Sequence, residues 1–145
     1  MLKKKSISVV LAMILLLVMA LGSASAAASG RLTYTHSSLG FSLTLPPSWT
    51  GLYRIEETQN GALFINISNE RAEYGGLLFG IEVYDEEAEI PTQFTKLPRS
   101  GGKYFYAVYP GDIQWAYDDA ALSKEYKGMN NEVESILKTF RHGAP

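Results

Sequence analysis

The stretch that decides the fold is GFSLTLPPSW, which runs from Gly40 to Trp49. Its apolar residues alternate with Ser42 and Thr44, which is the period-two pattern of a strand with one buried face. The Pro46-Pro47 pair ends the strand, because proline cannot donate a ladder hydrogen bond and forces the residue before it into an extended geometry. Trp49 follows this corner, where its large ring can fold back over the apolar face. The stretch predicts a compact domain that begins with strands.

Two hairpins are predicted around this strand. Residues 31–35 alternate weakly and are followed by turn residues at 37–40, so they form an opening hairpin with residues 41–45. Residues 52–58 and 62–68 flank Asn60-Gly61. Asn-Gly between extended runs is a strong hairpin signal, because both residues tolerate the positive φ of a type I′ turn.

The middle of the chain alternates between strands and connections. Residues 69–76 are polar and end in two glycines, which predicts a loop, and Leu77–Tyr84 predicts a strand. Residues 85–102 form a long connection with room for one helical turn, and residues 103–109 return as a strand. For residues 113–117 a short strand and a loop both remain open.

The clearest helix follows Asp118 and Asp119, either of which can cap its first amides. Gly128 and a capping box at Asn131 and Glu134 leave open whether there are one or two helices. The apolar positions fall on one stripe of a 3.6-residue period: Leu122, Tyr126, Met129, Val133, Ile136, Leu137 and Phe140. The predicted fold class is therefore α+β, a curved antiparallel sheet of about five to seven strands with a C-terminal helix packed on one face.

Residues 1–26 have the pattern of a secretory signal peptide. A basic start is followed by an apolar run over residues 7–21 and by Ala24-Ser25-Ala26, which fits an A-x-A cleavage site. The apolar run is shorter than the roughly 20 residues that a spanning helix needs, although an uncleaved anchor remains the alternative. Residues 27–30 are then a flexible leader, 31–141 a single domain and 142–145 a tail.

The composition restricts the cellular compartments and the types of partner that are expected. The chain has no cysteine, which excludes a lipid-modified lipoprotein and means that the domain is stable without disulfides. This favours a bacterial secreted protein, located extracytoplasmically or at the cell surface. Without the three lysines at positions 3–5 the net charge changes from −2 to −5, ten basic residues against fifteen acidic ones. An acidic domain without a basic cluster is a poor partner for nucleic acid. No membrane contact is expected after signal cleavage.

No catalytic, metal-binding or cofactor-binding motif occurs in the sequence. His36 and His142 are isolated and are predicted to be surface histidines, and general base catalysis needs a histidine held near a nucleophile. Two lone histidines without cysteine do not make a zinc site. The acidic residues 85–87 with Glu89 could offer oxygen ligands to calcium, but they lack the alternating spacing of a specific site and are interpreted as a solvated loop. A hydrolase built on two scattered carboxylates stays open.

The aromatic residues offer a more specific hypothesis. On the strand YFYAVY, Tyr104 and Tyr106 share one face, while Phe105 takes the other. If the opposite face lies on the core, these tyrosines are either covered by the long connection or exposed. Trp115 and Tyr117 lie nearby in sequence and extend a possible binding surface. Tyrosine and tryptophan are favoured at recognition sites, because each combines a large apolar area with a hydrogen-bonding tip.

The order of these features resembles the Mog1/PsbP-like superfamily, and in particular uncharacterised secreted or cell-surface domains of Firmicutes. The start matches F-S-x-x-x-P-x-x-W and the end matches I-L-x-T/S-F. The matching segments are GFSLTLPPSW, the Asn60-Gly61 hairpin, LLFGIEVY (77–84), GGKYFYAVYP (101–110) and YKGMNNEVESILKTF (126–140). The resemblance implies an antiparallel sheet with packed helices and no common enzymatic activity. Members of the superfamily serve as assembly factors or binding partners, among them a photosystem subunit and a partner of the GTPase Ran.

Together these observations predict a secreted, non-enzymatic binding or assembly domain. It would engage a protein or envelope component through an aromatic surface at Tyr104, Tyr106, Trp115 and Tyr117. An inhibitor or regulator of an envelope enzyme is a special case of this reading. The alternative from another class is a small extracytoplasmic hydrolase that uses scattered carboxylates.

Overall fold

The computed structural model describes residues 30–143, so the predicted signal peptide and residues 27–29 and 144–145 lie outside the described part of the chain. The elements, in chain order, are β1 (Leu32–Thr35), β2 (Phe41–Leu45), a 3-10 turn (Pro47–Trp49), β3 (Tyr53–Thr58), β4 (Gly61–Asn66), α1 (Ile67–Arg71), β5 (Leu77–Tyr84), β6 (Phe94–Lys96), β7 (Tyr104–Val108), α2 (Ala120–Leu137) and β8 (Arg141–His142).

The strands form two antiparallel sheets. The smaller sheet has the order β1-β2-β8, and the larger one has the order β3-β4-β5-β7-β6. Helix α2 packs against β5 of the larger sheet and against β2 of the smaller one, and one apolar cluster joins all three. The predicted α+β class, with an antiparallel sheet and a C-terminal helix on one face, is confirmed.

The opening hairpin forms as predicted, with Leu32 opposite Leu45 in the ladder between β1 and β2. Along β2 the side chains of Phe41, Leu43 and Leu45 are completely buried, which is the alternation that the sequence predicts. Trp49 is also completely buried, and its indole Nε1 donates to the Glu132 carboxylate of α2 at 2.9 Å. The strand and the corner that follows it therefore enclose one side of α2.

The Asn60-Gly61 hairpin is present, but the predicted turn type is wrong. Thr58 pairs with Gly61, so the two-residue loop consists of Gln59 and Asn60. Neither Asn60 nor Gly61 has a positive φ. Gly61 is required for a different reason: a Cβ at this position would lie 1.8 Å from the carbonyl oxygen of Ile81 on β5. The glycine allows the close approach of two strands.

Strand β4 ends two residues earlier than predicted, and part of the predicted 69–76 loop is helical. The Asn66 side chain causes both differences, since its Oδ1 accepts from the amide of Asn69 at 3.1 Å and caps helix α1. An asparagine at this position satisfies one of the free amides that begin a helix, so the strand stops there.

Helix α2 is one continuous helix through Gly128. Of the two candidate caps, Asp119 serves as the N-cap, with its Oδ1 accepting from the amides of Ala121 and Leu122 at 3.0 Å. The predicted stripe is buried at Tyr126, Met129, Val133, Ile136, Leu137 and Phe140, and only Leu122 is half-buried. The apolar period thus gave the correct face of the helix.

The long connection differs from the prediction, because it carries the short edge strand β6 in place of a helical turn. Strand β6 pairs with β7, with Phe94 opposite Val108. On the face away from α2, Tyr106 is 1% exposed, and its hydroxyl accepts from the amide of Ala88 at 3.1 Å. The connection therefore covers a second, smaller apolar layer on this face. Residues 113–117 form a loop.

Candidate functional site

The candidate site is an open groove between α2 and the segment of residues 109–119, which we call the crossing segment. Its volume is about 560 Å³, within the range of ligand-binding clefts. Strand β5 has a β-bulge where Phe64 pairs with Phe79 but Ile65 with Leu77, and Leu78, between these two positions, lines the groove. The apolar lining consists of Leu78, Tyr109, Pro110, Ile113, Trp115, Tyr126 and Val133, and the polar lining of Gln93, Asp112, Asn130 and Glu134.

A buried pair of asparagines holds the crossing segment in place. Asn69 accepts from the amide of Ala116 at 2.8 Å through Oδ1, and it donates to the carbonyl of Leu122 at 3.1 Å through Nδ2. The same Nδ2 donates to Asn66 Oδ1 at 2.6 Å. Both asparagines are completely buried. The pair therefore joins α1, the crossing segment and the start of α2 through hydrogen bonds shielded from water, where they are costly to lose.

Asn66 extends this network to Leu52, just after the 3-10 turn, and to the second turn of α2. Its Nδ2 donates to the carbonyl of Leu52 at 3.1 Å and to the Glu125 carboxylate at 2.7 Å. The polar atoms of both amides are thus satisfied, as buried polar groups in native proteins are. We call Asn66 and Asn69 the asparagine pair.

Gln114 attaches the crossing segment to the loop before β5. Its backbone carbonyl accepts from the amide of Gly76 at 2.9 Å, and its side-chain Oε1 accepts from the amide of Leu77 at 3.2 Å. Gly75 has a φ of +90°, and a Cβ there would lie 2.2 Å from Gln114 Oε1. Glycine is favoured here by the left-handed backbone, and a larger residue would also displace the Gln114 side chain.

The aromatic floor of the groove is formed by Trp115 and Tyr126. Their ring centroids are 5.3 Å apart, and the ammonium of Lys127 lies 5.3 Å from the centroid of the Trp115 ring. The Tyr126 hydroxyl donates to the carbonyl of Leu77 at 2.5 Å. Burial and, to a smaller extent, the charge of Asp112 raise the pKa of Tyr126 to about 12. The phenol is therefore a fixed neutral donor and not a titrating group near neutral pH.

Two exposed apolar side chains stand on the crossing segment. Tyr117 is 71% exposed and Ile113 is 53% exposed. The Tyr117 ring meets the Tyr74 ring edge to face at 5.5 Å, and the Tyr74 hydroxyl donates to the Asp118 carboxylate at 2.7 Å. This hydrogen bond raises the pKa of Tyr74 to about 12. Large apolar side chains are thus presented to solvent on a backbone that is tied down from several sides.

The structure places the four residues of the predicted binding surface in two separate regions. Trp115 is half-buried at the groove, and Tyr117 is exposed two residues further along the crossing segment. Tyr106 lies on the other face of the larger sheet, in edge contact with Phe94 at 5.7 Å. Tyr104 is half-buried on that face under the Arg99 guanidinium, 4.3 Å from its ring centroid. Of the two alternatives for these tyrosines, coverage by the connection describes Tyr106.

Sequence reasoning missed several residues that build the site. The apolar period places Tyr126 in the core stripe alone, and the polar run over residues 69–76 places Asn69 in a loop. The spacing of Asn66 and Asn69 does fit an N-cap followed by an amide three residues later, which was the available signal. That both side chains are buried follows from partners more than forty residues away, such as Ala116, which a local pattern does not reveal.

His36 is buried, with 3% exposure, so its prediction as a surface histidine is wrong. Its Nε2 donates to the carbonyl of Gly61 at 2.9 Å, and its Nδ1 accepts from the amides of Ser38 and Leu39 at 3.2 and 3.1 Å. The ring is therefore a structural link between the β1–β2 turn and the second hairpin. His142 is half-buried in β8, where it pairs with Phe41, one residue into the predicted tail.

A serine, a histidine and a glutamate meet near this turn, but not in a catalytic order. Ser37 donates its hydroxyl to Glu57 and not to the imidazole, and Tyr34 donates to the same carboxylate at 2.8 Å. The hydrogen bonds from Ser37 lower the pKa of Glu57 to about 2. A nucleophilic serine needs a base that accepts its proton, and His36 Nδ1 already accepts from two backbone amides.

Two of the four acidic residues singled out as possible calcium ligands take part in surface ion pairs. Asp85 pairs with Lys103, and Glu87 pairs with Lys96, whose hydrogen bond lowers the pKa of that carboxyl. Across residues 30–143 no group of three or more histidine, aspartate or glutamate side chains is placed to hold a metal ion. In the same part of the chain, no helix has the length and apolarity needed to cross a membrane.

Comparisons of the chain with protein-family models, with curated proteins and with solved structures gave no match.

Proposed function

We propose that this chain is an exported, non-enzymatic binding domain that engages a protein or envelope component. The contact surface is the groove with its rim: Trp115 and Tyr126 as the aromatic floor, and Ile113 and Tyr117 as exposed anchors. The observation that carries the proposal is that a segment held by buried hydrogen bonds presents large apolar side chains to solvent.

The energetics favour this surface over the aromatic residues of β7. Binding loses free energy when flexible loops and side chains become ordered, and a segment already fixed by the asparagine pair and Gln114 avoids most of that cost. Tyrosine and tryptophan are the residue types most often found at energetic hot spots. The ring of Tyr106 is already buried within the domain, and its hydroxyl already accepts a hydrogen bond from the amide of Ala88.

The proposal includes export of the protein and its resemblance to Mog1/PsbP-like domains. The basic, apolar and small segments of residues 1–26 support cleavage after Ala26. The resemblance to Mog1/PsbP-like domains supports a role as a binding partner or assembly factor. Sequencing the N-terminus of the protein recovered from outside the cytoplasm tests the first part, and we expect it to begin at Ala27. Recovery of the full chain in the membrane fraction would support an uncleaved anchor instead.

Site-specific photo-crosslinking tests the binding surface in the cell that produces the protein. Tyr117 is replaced by the photoreactive p-benzoylphenylalanine, and Leu32, which is 54% exposed on β1, is replaced in a matched control. We expect a discrete crosslinked product from position 117 and none from position 32. The product should also be lost when Trp115→Leu is added, because this variant removes the floor of the groove.

Two results would contradict the proposal. The first is an equal yield of the same products from positions 117 and 32, which would indicate random collision. The second is the absence of any product from position 117 together with normal folding of that variant, as judged by an unchanged melting temperature.

A further inference from the structure

We infer that the groove binds a positively charged side chain of an extended protein segment, and that its cation takes the place over the Trp115 ring that the Lys127 ammonium now occupies. This inference rests on the proposed function and names the chemistry of the partner. It follows from three features of the groove: an occupied cation position, the charges of the lining, and an open shape.

The cation position is shown by Lys127. Its Nζ lies over the Trp115 ring at 5.3 Å from the centroid, within the roughly 6 Å at which a cation is attracted by an indole face. The side chain of Lys127 is exposed, and among residues 30–143 it forms no ion pair with a carboxylate. The ring is thus its one specific partner there. Such a contact on the surface is weak, so a ligand that offers a cation plus further contacts can displace it.

The charges of the lining favour a cation. The residues that line the groove include two carboxylates, Asp112 and Glu134, and no lysine or arginine. The charge of Asp112 acts on the floor itself, where it helps to raise the pKa of Tyr126. Glu134 pairs with Lys138 at 3.0 Å, but both side chains are more than 70% exposed, and exposed pairs of this kind contribute little. Asp118 and Asp119 add acidic charge to the crossing segment, and Lys124 is a basic residue on the neighbouring turns of α2.

The shape of the groove favours a chain segment over a small molecule. The groove is open to solvent, and Ile113 and Tyr117 stand exposed on the segment that borders it. A small cation held on Trp115 would leave both anchors uncovered. An extended segment could place apolar neighbours against them while Gln93 and Asn130, at the lining, offer amide donors and acceptors to its backbone.

The test uses a peptide array and the intact domain. The array carries twelve-residue extended peptides with varied apolar and proline flanks, each made in three versions that differ only in a central arginine, glutamine or glutamate. We expect the arginine version to bind most strongly and the glutamate version least. With the strongest arginine peptide, the indole N–H signal of Trp115 should shift in a proton–nitrogen NMR spectrum, whereas that of the enclosed Trp49 should not.

Removal of the internal competitor gives the sharpest prediction. Lys127→Gln should tighten binding of the arginine peptide about three- to fivefold, since a surface cation–π contact of up to about 1 kcal/mol no longer has to be replaced. Lys124→Gln removes the same charge one turn away and should change the affinity less than twofold. Asp112→Asn should weaken the arginine peptide and leave the glutamine peptide unchanged.

Several outcomes would overturn the inference. Equal binding of the three peptide versions, no binding by any of them, or equal effects of Lys127→Gln and Lys124→Gln would each exclude a cation position on Trp115. Choline binding as tightly as the best peptide would indicate a small cationic ligand instead of a protein segment. If these tests fail while crosslinking from position 117 persists, the inference falls and the proposed function stands. If the peptides bind as expected but position 117 gives no crosslink, the proposed function falls.

Discussion

The two tryptophans of the domain lie against the same helix and differ in almost everything else. Trp49 is completely buried, donates its indole N–H to Glu132 and lies 5.9 Å from the Tyr53 ring. Trp115 is half-buried between Tyr126 and a surface lysine, and it stands on a segment whose backbone is held by other residues.

Trp49 stabilises the fold through its own packing, whereas Trp115 is held in position by hydrogen bonds that other residues form. Trp49 contributes its whole surface to the core, so the domain depends on it. Trp115 is positioned by the asparagine pair and by Gln114, so its backbone stays in place whether or not its ring is covered. Residue type alone does not distinguish the two roles. The two roles are distinguished by whether other residues hold the backbone next to the ring through hydrogen bonds.

The largest effect is expected from Trp49→Ala. Removal of a fully enclosed aromatic ring costs about 3–5 kcal/mol of unfolding free energy, because the apolar contact is lost and a cavity remains. The matched change Trp115→Ala removes a half-buried ring and should cost less than half as much. Urea unfolding followed by far-ultraviolet circular dichroism measures both. Equal losses in the two variants would mean that Trp115 belongs to the core.

Asn69→Ala should remove hydrogen bonds that position Trp115 and leave the packing of Trp49 unchanged. It leaves the buried amide of Ala116 and the carbonyl of Leu122 without their partner, and each unsatisfied group costs about 1–3 kcal/mol. We expect unfolding at lower urea concentration and, before unfolding, stronger quenching of tryptophan fluorescence by acrylamide. Ser68→Ala, at the neighbouring half-buried position, is the control. Unchanged quenching in a destabilised Asn69→Ala domain would show that the pair does not position Trp115.

Acidification should destabilise a third region, around Glu57, which lies away from Trp115. The pKa of Glu57 in the folded domain is about 2, below its usual value of 4.5, so its hydrogen bonds stabilise the domain above pH 4.5. That contribution is lost as the pH falls from about 4.5 toward 2. Glu57→Gln should be less stable than the parent at pH 6 and should lose stability less steeply on acidification. Glu86→Gln, at an exposed position, should keep the parent's pH dependence. Parallel curves for the parent and Glu57→Gln would contradict this assignment.

The smallest effect is expected from Gly128→Ala in the middle of α2. A Cβ at this exposed position meets no atom within 4 Å, so alanine should add about 1 kcal/mol of stability through its higher helix propensity. Lys124→Ala, another exposed position on the helix, should change stability by only a few tenths of a kcal/mol. Thermal unfolding measures both, and the fluorescence of the two tryptophans should stay unchanged. A loss of stability in Gly128→Ala would mean that the helix needs its glycine.

The strands and the helix that show a regular spacing of apolar residues in the sequence were predicted well. The bounds of β5 at Leu77–Tyr84 agree with the sequence, and six of the seven positions of the predicted stripe are buried, five of them in α2 and Phe140 just after it. These features depend on residues two, three or four apart, which is the range that a local pattern covers. The Asn60-Gly61 hairpin was found for the same reason, although Gly61 serves the approach of β5 and not a positive φ.

The site was harder to predict, because its polar residues are defined by distant partners. His36 is buried against the carbonyl of Gly61, 25 residues away, and Asn69 against the amide of Ala116, 47 residues away. In a single sequence asparagine is expected at the surface and histidine is intermediate, so neither residue type by itself indicates burial. Tyr106 shows the same limit: alternation assigned it to a face, but only the path of the connection decided whether that face is covered.

The ladder between β2 and β8 has a consequence for how the chain acquires its structure. Phe41 and Ser42 pair with His142 and Arg141, about a hundred residues later. A growing chain that has passed the first hairpin therefore has no third strand for the smaller sheet until residue 142 has been made. Contacts between such distant positions slow folding, because a long loop must close before they form. If the chain is exported as proposed, late closure of this kind would delay compaction until the chain has crossed the membrane.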